Sequence, residues 1–257
     1  MGGLRAGGQG EYRLEGRVAV VTGGSSGIGA AAARRLAAAG ATVVVGFNAG
    51  ADRAEALRAG LPGEGHLALR IPMEDSDAIA AAAAEVDRRL GRADVLVNSA
   101  GVTRAVPHAD LDALDDATFD RILITNVRGP FATIRAFAPM LRRGGDGVVV
   151  NISSLSGSTG LGSSIAYCAS KAALDTMGLS LARVLGPEIR VIGVSPAAVA
   201  TDFVPGRTRE GVEKQAATTP LRTVAEPDDV AMAVPAAVTH LRLTTGSTIV
   251  VDSGRHL

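Results

Sequence analysis

Val18-Ala19-Val20-Val21-Thr22-Gly23-Gly24-Ser25-Ser26-Gly27-Ile28-Gly29-Ala30 decides how the rest of the chain is read. The apolar run Val18 to Val21 predicts a buried strand, the glycines break it into a turn, and the Ala-rich stretch from Ala30 predicts a helix. Glycine is needed where backbone must approach a pyrophosphate with no Cβ between them. The N-terminus of the following helix adds unpaired N–H groups and a partial positive charge. Strand, glycine turn and helix together predict a dinucleotide site. A nucleoside-triphosphate loop would need Lys and Ser or Thr after its last glycine; Ala30 and Ala31 stand there instead, so that alternative fails.

Outward from this turn, short β-branched runs alternate with Ala-rich helical stretches. Strands are predicted at Val18–Thr22, Thr42–Gly46, His66–Ile71, Val95–Asn98, Val148–Ser153, Arg190–Ser195 and Thr248–Val251. Helices are predicted near Gly27–Ala39, Ala51–Ala59, Ser76–Leu90, Asp112–Met140, Ser164–Leu185 and Pro227–Thr239. The alternation specifies an α/β chain: a single doubly wound, Rossmann-type domain with a seven-stranded parallel sheet and helices on both faces. Residues 14–257 are expected to form that domain, and residues 1–13 a flexible, Gly-rich N-terminal arm. The irregular stretch 197–224 follows the sixth strand at its carboxyl end, where ligands bind in such sheets, and is a candidate substrate lid.

Composition removes several function classes. Lys plus Arg and Asp plus Glu number 26 each, so no overall field recruits nucleic acid or an anionic membrane. The one cysteine, Cys168, excludes an internal disulfide, and no Cys/His spacing suits a metal. With no signal-like start and no run of about eighteen apolar residues, the expectation is a cytoplasmic protein with no membrane partner. His66, His108, His240 and His256 are scattered and read as structural or exposed.

Five separated motifs resemble the short-chain dehydrogenase/reductase family, and the likeness runs from Leu14 to the C-terminus. They are Thr22-Gly23 to Gly27-Ile28-Gly29; Asn98-Ser99-Ala100-Gly101; Thr125-Asn126-Val127; Asn151-Ile152-Ser153-Ser154; and Tyr167-Cys168-Ala169-Ser170-Lys171. Glu226-Pro227-Asp228-Asp229-Val230-Ala231 and Val251-Asp252-Ser253-Gly254 resemble the family's closing helix and last strand. The resemblance implies NAD(P)-dependent hydride transfer between a nicotinamide and a ketone or secondary alcohol, with Asn126, Ser154, Tyr167 and Lys171 catalytic. It implies cofactor contacts from Gly23, Ser25, Ser26, Gly27, Ile28, Gly29, Phe47, Asn48, Met73, Asn98, Ala100 and Gly101, and from Tyr167, Lys171, Pro196, Val199 and Thr201. It also implies a homotetramer or homodimer paired through the long helices, and a small carbonyl or alcohol substrate, free or carrier-bound. The members it resembles include 3-oxoacyl-carrier-protein, alcohol and ketone reductases. A catalytically idle sensor or scaffold of the same fold is the alternative, but its signature would be a missing Ser, Tyr or Lys, and none is missing.

Carbonyl reduction needs a hydride donor, which the cofactor supplies, and a proton for the developing alkoxide, which the protein supplies. A free tyrosine has a pKa of about 10 and must be lowered to act in both directions. Lys171, one helical turn on, is expected to do this: a unit charge at about 5 Å contributes roughly 3 kcal/mol at an effective dielectric of about 20. Ser154 would hold the substrate oxygen near the phenol. Family resemblance adds that Lys171 binds the nicotinamide ribose and that Asn126 holds a water linking Lys171 to solvent. Ser153 lies on the other side of its strand by period-2 alternation, and Cys168 reads as packing.

Three departures bear on the cofactor. The Asp that NAD-preferring members carry after the second strand is absent, since Val45-Gly46-Phe47-Asn48 stands there. The cation of NADP-preferring members is absent from the glycine turn, where Ser26 stands, yet Asn48 or Arg53 could reach a 2′-phosphate, so NADP(H) is favoured over NAD(H). Pro72-Met73-Glu74 replaces the family's Asp-Val at the adenine pocket, and Ala197 replaces a glycine beside the nicotinamide.

Overall fold

The structure, a computed structural model, describes residues 13–257; residues 1–12 of the expected arm lie outside the described residues. Leu14 is already buried in the core. The chain runs β1 (Val18–Thr22), α1 (Gly27–Ala38), β2 (Thr42–Phe47), α2 (Ala51–Ala59), β3 (Leu67–Arg70), α3 (Ser76–Leu90) and β4 (Val95–Asn98). It continues through α4 (Asp116–Leu123), a π-helical turn (Ile124–Arg128), α5 (Gly129–Arg143), β5 (Gly147–Ile152), α6 (Ser156–Thr159), α7 (Ile165–Leu185) and β6 (Ile189–Pro196). The last elements are α8 (Arg209–Ala216), α9 (Pro227–Ala231), α10 (Ala233–Thr239) and β7 (Ser247–Val251). All seven strands are parallel, in the order β3-β2-β1-β4-β5-β6-β7. The order reverses between β1 and β4, which opens a crevice at their carboxyl ends.

Alternation along β1 shows why helices must cover both faces. Ala19 and Val21 join one core with α1, α2, α9 and α10, while Val18 and Val20 join the other with α3, α5 and α7. Each fully buried Val or Leu contributes about 1.5–3 kcal/mol. The alanines of α1 (Ala30 to Ala33) are all buried, so that helix lies close on the sheet.

Proline explains two places where a predicted helix is divided. The stretch 112–140 begins only at Asp116, where Asp115 accepts from the Thr118 N–H at 2.7 Å. It then widens into the π turn, in which Gly129 N–H reaches the carbonyl of Ile124. Pro130 has no N–H to offer the carbonyl of Asn126 four residues back, which loosens the ladder there. Pro235 stands in the same relation to Ala231, where α9 ends. The stretch 197–224, expected to be irregular, contains α8, capped by Thr208 accepting from Gly211 N–H at 3.1 Å.

Candidate active site

A cavity of about 1360 Å³ opens at the carboxyl ends of β1, β4, β5 and β6. It exceeds the usual small-molecule pocket of roughly 300–1,000 Å³ and has room for a dinucleotide with a second ligand. One end is the glycine turn. Gly23 has φ +63°, and a Cβ on it would lie 2.7 Å from Ala100 Cα; a Cβ on Gly29 would lie 2.3 Å from the carbonyl oxygen of Gly23. The Thr22 hydroxyl accepts from Ser99 and Ala100 N–H, each at 3.2 Å, and fastens the segment after β4 to this turn. Ser26 is the N-cap of α1 but makes no side-chain capping bond, and Gly27 and Ile28 beside it line the cavity. A glycine cradle with an uncapped helix N-terminus fits a pyrophosphate.

The rim of this end is set by β2 and β3. Phe47 pairs in register with Arg70, whose guanidinium donates to Asn48 Oδ1 at 3.3 Å, and the Arg53 guanidinium folds over Gly50 beside them. Asn48 and Arg53 line the cavity. Met73 is buried against Gly129 and reaches the cavity wall, while Glu74 next to it accepts from the Thr125 hydroxyl at 2.9 Å.

At the other end, Ser154, Tyr167 and Lys171 share the wall with Pro196, Val199 and Thr201. Ser164 caps α7 by accepting from Tyr167 N–H at 3.3 Å, which fixes the turn carrying the phenol. Ser154 Oγ accepts from Ser156 N–H at 3.2 Å. Lys171 is buried, and its Nζ donates to the Ile152 carbonyl at 2.8 Å and lies 5.7 Å from the centroid of the Tyr167 ring. Burial pushes the Lys171 ammonium down to about 8, with the charge of Asp175 one turn on pulling it back. Burial likewise pushes the Tyr167 phenol up to about 12, against the pull of Ser154 and then Arg207. The sequence led us to expect a phenol lowered by Lys171; in the fold, desolvation outweighs every cation near it.

Most of the expected site residues line this one cavity, including Gly23, Ser25, Ser26, Gly27, Ile28, Ala100 and Gly101. Four do not. Gly29 packs on Gly23; Phe47 joins the core beneath β2; Asn98 is buried, donating to Asn151 Oδ1 at 2.9 Å and accepting from Thr133 at 2.7 Å. Asn126 sits in the π turn with its amide committed: Oδ1 accepts from Val102 N–H at 2.8 Å, and Nδ2 donates to the Val102 carbonyl at 3.0 Å and to Ser170 Oγ at 3.1 Å. These four shape the cleft from behind. Sequence reasoning did not single out Arg70, Arg121 or Arg255; only the β2–β3 register could have pointed to the first.

Comparison with known proteins agrees with this architecture. The profile of the short chain dehydrogenase family matches residues 17–210. A putative ketoacyl reductase of the granaticin polyketide synthase of Streptomyces violaceoruber is 41% identical over 245 residues, covering 95% of this chain and 97% of that protein. A short chain dehydrogenase from Burkholderia cenocepacia, solved in complex with NADP, superposes with a TM-score of 0.86 at 35% identity, covering 95% of this chain and 100% of that one. A 7α-hydroxysteroid dehydrogenase, solved with NADH and 7-oxo glycochenodeoxycholic acid, gives 0.89 at 30% identity over 97% of this chain and 98% of that one. Among the described residues no helix is long and apolar enough to cross a membrane, and no group of side chains is placed to hold a metal. Matched over most of its length by that profile and nearly end to end by these relatives, the protein belongs to the short-chain dehydrogenase/reductase family, nicotinamide-dependent oxidoreductases acting on CH–OH and C=O groups.

Proposed function

We propose that the protein reduces a ketone to a secondary alcohol with NADPH, Tyr167 acting as the general acid. The observation that carries this is that Ser154, Tyr167 and Lys171 line one end of the same cavity whose other end is the glycine turn. The reduced nicotinamide, when bound, supplies the hydride. The protein's part is to hold the carbonyl and deliver a proton. Ser154 Oγ–H donates to the substrate oxygen and orients it. A phenol pushed up to about 12 is protonated at neutral pH, so Tyr167 is ready to donate to the developing alkoxide, which favours the reductive direction. Lys171, charged below pH 8, binds the ribose hydroxyls and stabilises the tyrosinate left behind.

The pH profile tests this division of labour. Lys171 loses its charge as pH rises through about 8, so kcat/KM for ketone reduction is expected to be level below that pH. Above it the value should fall about tenfold per pH unit. A profile level to pH 10 would contradict the role given to Lys171.

For the coenzyme, Asn48, held by Arg70, stands where a carboxylate would repel a 2′-phosphate, and Arg53 beside it on the cavity wall can donate to one. Titration with each nucleotide is expected to give the lower Kd for NADPH; a lower Kd for NADH would overturn the assignment. The stretch 197–224 serves as the lid, its Phe203 ring 5.8 Å from that of Tyr167. Exposed Phe131 on α5 and Leu179 and Val184 on α7 support assembly into a homo-oligomer through those helices.

A further inference from the structure

We infer that the substrate is a ketone bearing a carboxylate, held at the reactive end of the cleft by the guanidinium of Arg207 with that of Arg255. This rests on the hydride-transfer reading and narrows it. Two separate segments bring the arginines to one place. Arg207 follows Phe203, which packs on the Tyr167 ring, and its N–H is fixed to the Val204 carbonyl at 3.1 Å. Arg255 comes from the C-terminal turn. There the buried carboxylate of Asp252 accepts from Gly254 N–H and His256 N–H at 2.8 Å each, and Leu221 N–H bonds the Ser253 carbonyl at 3.2 Å. Both arginines line the cavity with Tyr167.

Their partners are what set them apart. Arg209, two residues along, is paired with Glu213 and Glu226. Among the described residues, neither Arg207 nor Arg255 makes a side-chain ion pair or hydrogen bond. Of the carboxylates on the cavity wall, Glu74 is bonded to Thr125, and Asp202 reaches neither arginine. Burial lowers the Arg207 guanidinium, and the charge of Arg255 lowers it further, against the opposing pull of Tyr167. A half-buried cation with a like charge beside it gains most from an incoming anion, and a carboxylate matches the fork of a guanidinium.

The test compares 4-oxocyclohexanecarboxylate with its methyl ester as substrates under NADPH. In parallel, cyclohexanecarboxylate and cyclohexanecarboxamide are titrated as unreactive ligands of the NADPH-loaded protein. The acid should exceed the ester in kcat/KM, and the carboxylate the amide in affinity, by at least about tenfold. Both ratios should fall within about twofold of unity in Arg207→Gln/Arg255→Gln, recover in part in Arg207→Lys, and persist in Arg88→Gln on the exposed side of α3. Equal values for acid and ester and for carboxylate and amide in the parent, or ratios that survive the double substitution, overturn the inference. If neither ketone is reduced while the carboxylate still binds preferentially, the anion site stands and hydride transfer to these ketones does not. If both ketones are reduced equally, the reverse holds.

Discussion

Tyr167→Phe is expected to lower kcat for ketone reduction by about a thousandfold or more, within the range of roughly 10²–10⁴ that a positioned proton donor contributes. The ring stays, so its contact with Phe203 and the packing of α7 are retained. Only the hydroxyl is lost, and with it the protonated phenol that interacts with Ser154. One lost hydrogen bond to the ribose costs about 1 kcal/mol, so NADPH affinity should fall no more than about tenfold. Steady-state NADPH oxidation and fluorescence titration, run on the same preparation, check both parts. A variant that keeps a tenth or more of the parent kcat would remove Tyr167 from the chemistry.

Gly29→Ala is expected to weaken nucleotide binding by on the order of a hundredfold and to lower Tm as well. An added Cβ would lie 2.3 Å from the Gly23 carbonyl oxygen, 2.9 Å from its carbon and 3.2 Å from Gly24 Cα. Everything it meets is backbone, so no side chain can rotate away, and the turn must open. Overpacking of this kind costs about 1–3 kcal/mol or more, here within the cradle itself. Gly145→Ala is the control. Unlike Gly29 it has positive φ, +70°, and open space around it, so it should cost about 1–2 kcal/mol of stability by strain alone and leave nucleotide affinity unchanged. Calorimetry and nucleotide titration separate the two; equal affinity losses in both variants would mean that a general loss of stability, not the close approach at Gly29, is responsible.

The sheet was legible because its determinants are local. Period-2 runs such as Val18 to Val21, broken by glycines and followed by alanines, leave little choice of fold. The Tyr167, Lys171 and Ser154 constellation was legible through spacing, since four residues on a helix bring two side chains to one face. What was not legible depends on segments distant in sequence. Arg70 reaches Asn48 through strand register, and Arg255 meets Arg207 because the C-terminal turn packs on the loop after α8. The π turn is a local effect that could have been found: Pro130 signals it, but a helical pattern conceals a one-residue widening. The direction of the Tyr167 shift was misjudged because a pairwise cation was considered without desolvation, which reverses the sign. The motif around Asn126 did not reveal that its amide clamps Val102 and Ser170, a contact between segments far apart in sequence.

Product analysis after reduction with NADPH deuterated at the transferring face of C4 tests the central claim most directly. Incubation with 4-oxocyclohexanecarboxylate, and with a neutral β-keto ester beside it, is expected to give an alcohol one mass unit heavier, with the deuterium on the carbinol carbon. Alcohol formed without deuterium, or bound nucleotide with no alcohol from either ketone, would contradict the assignment of this cleft to hydride transfer onto a carbonyl.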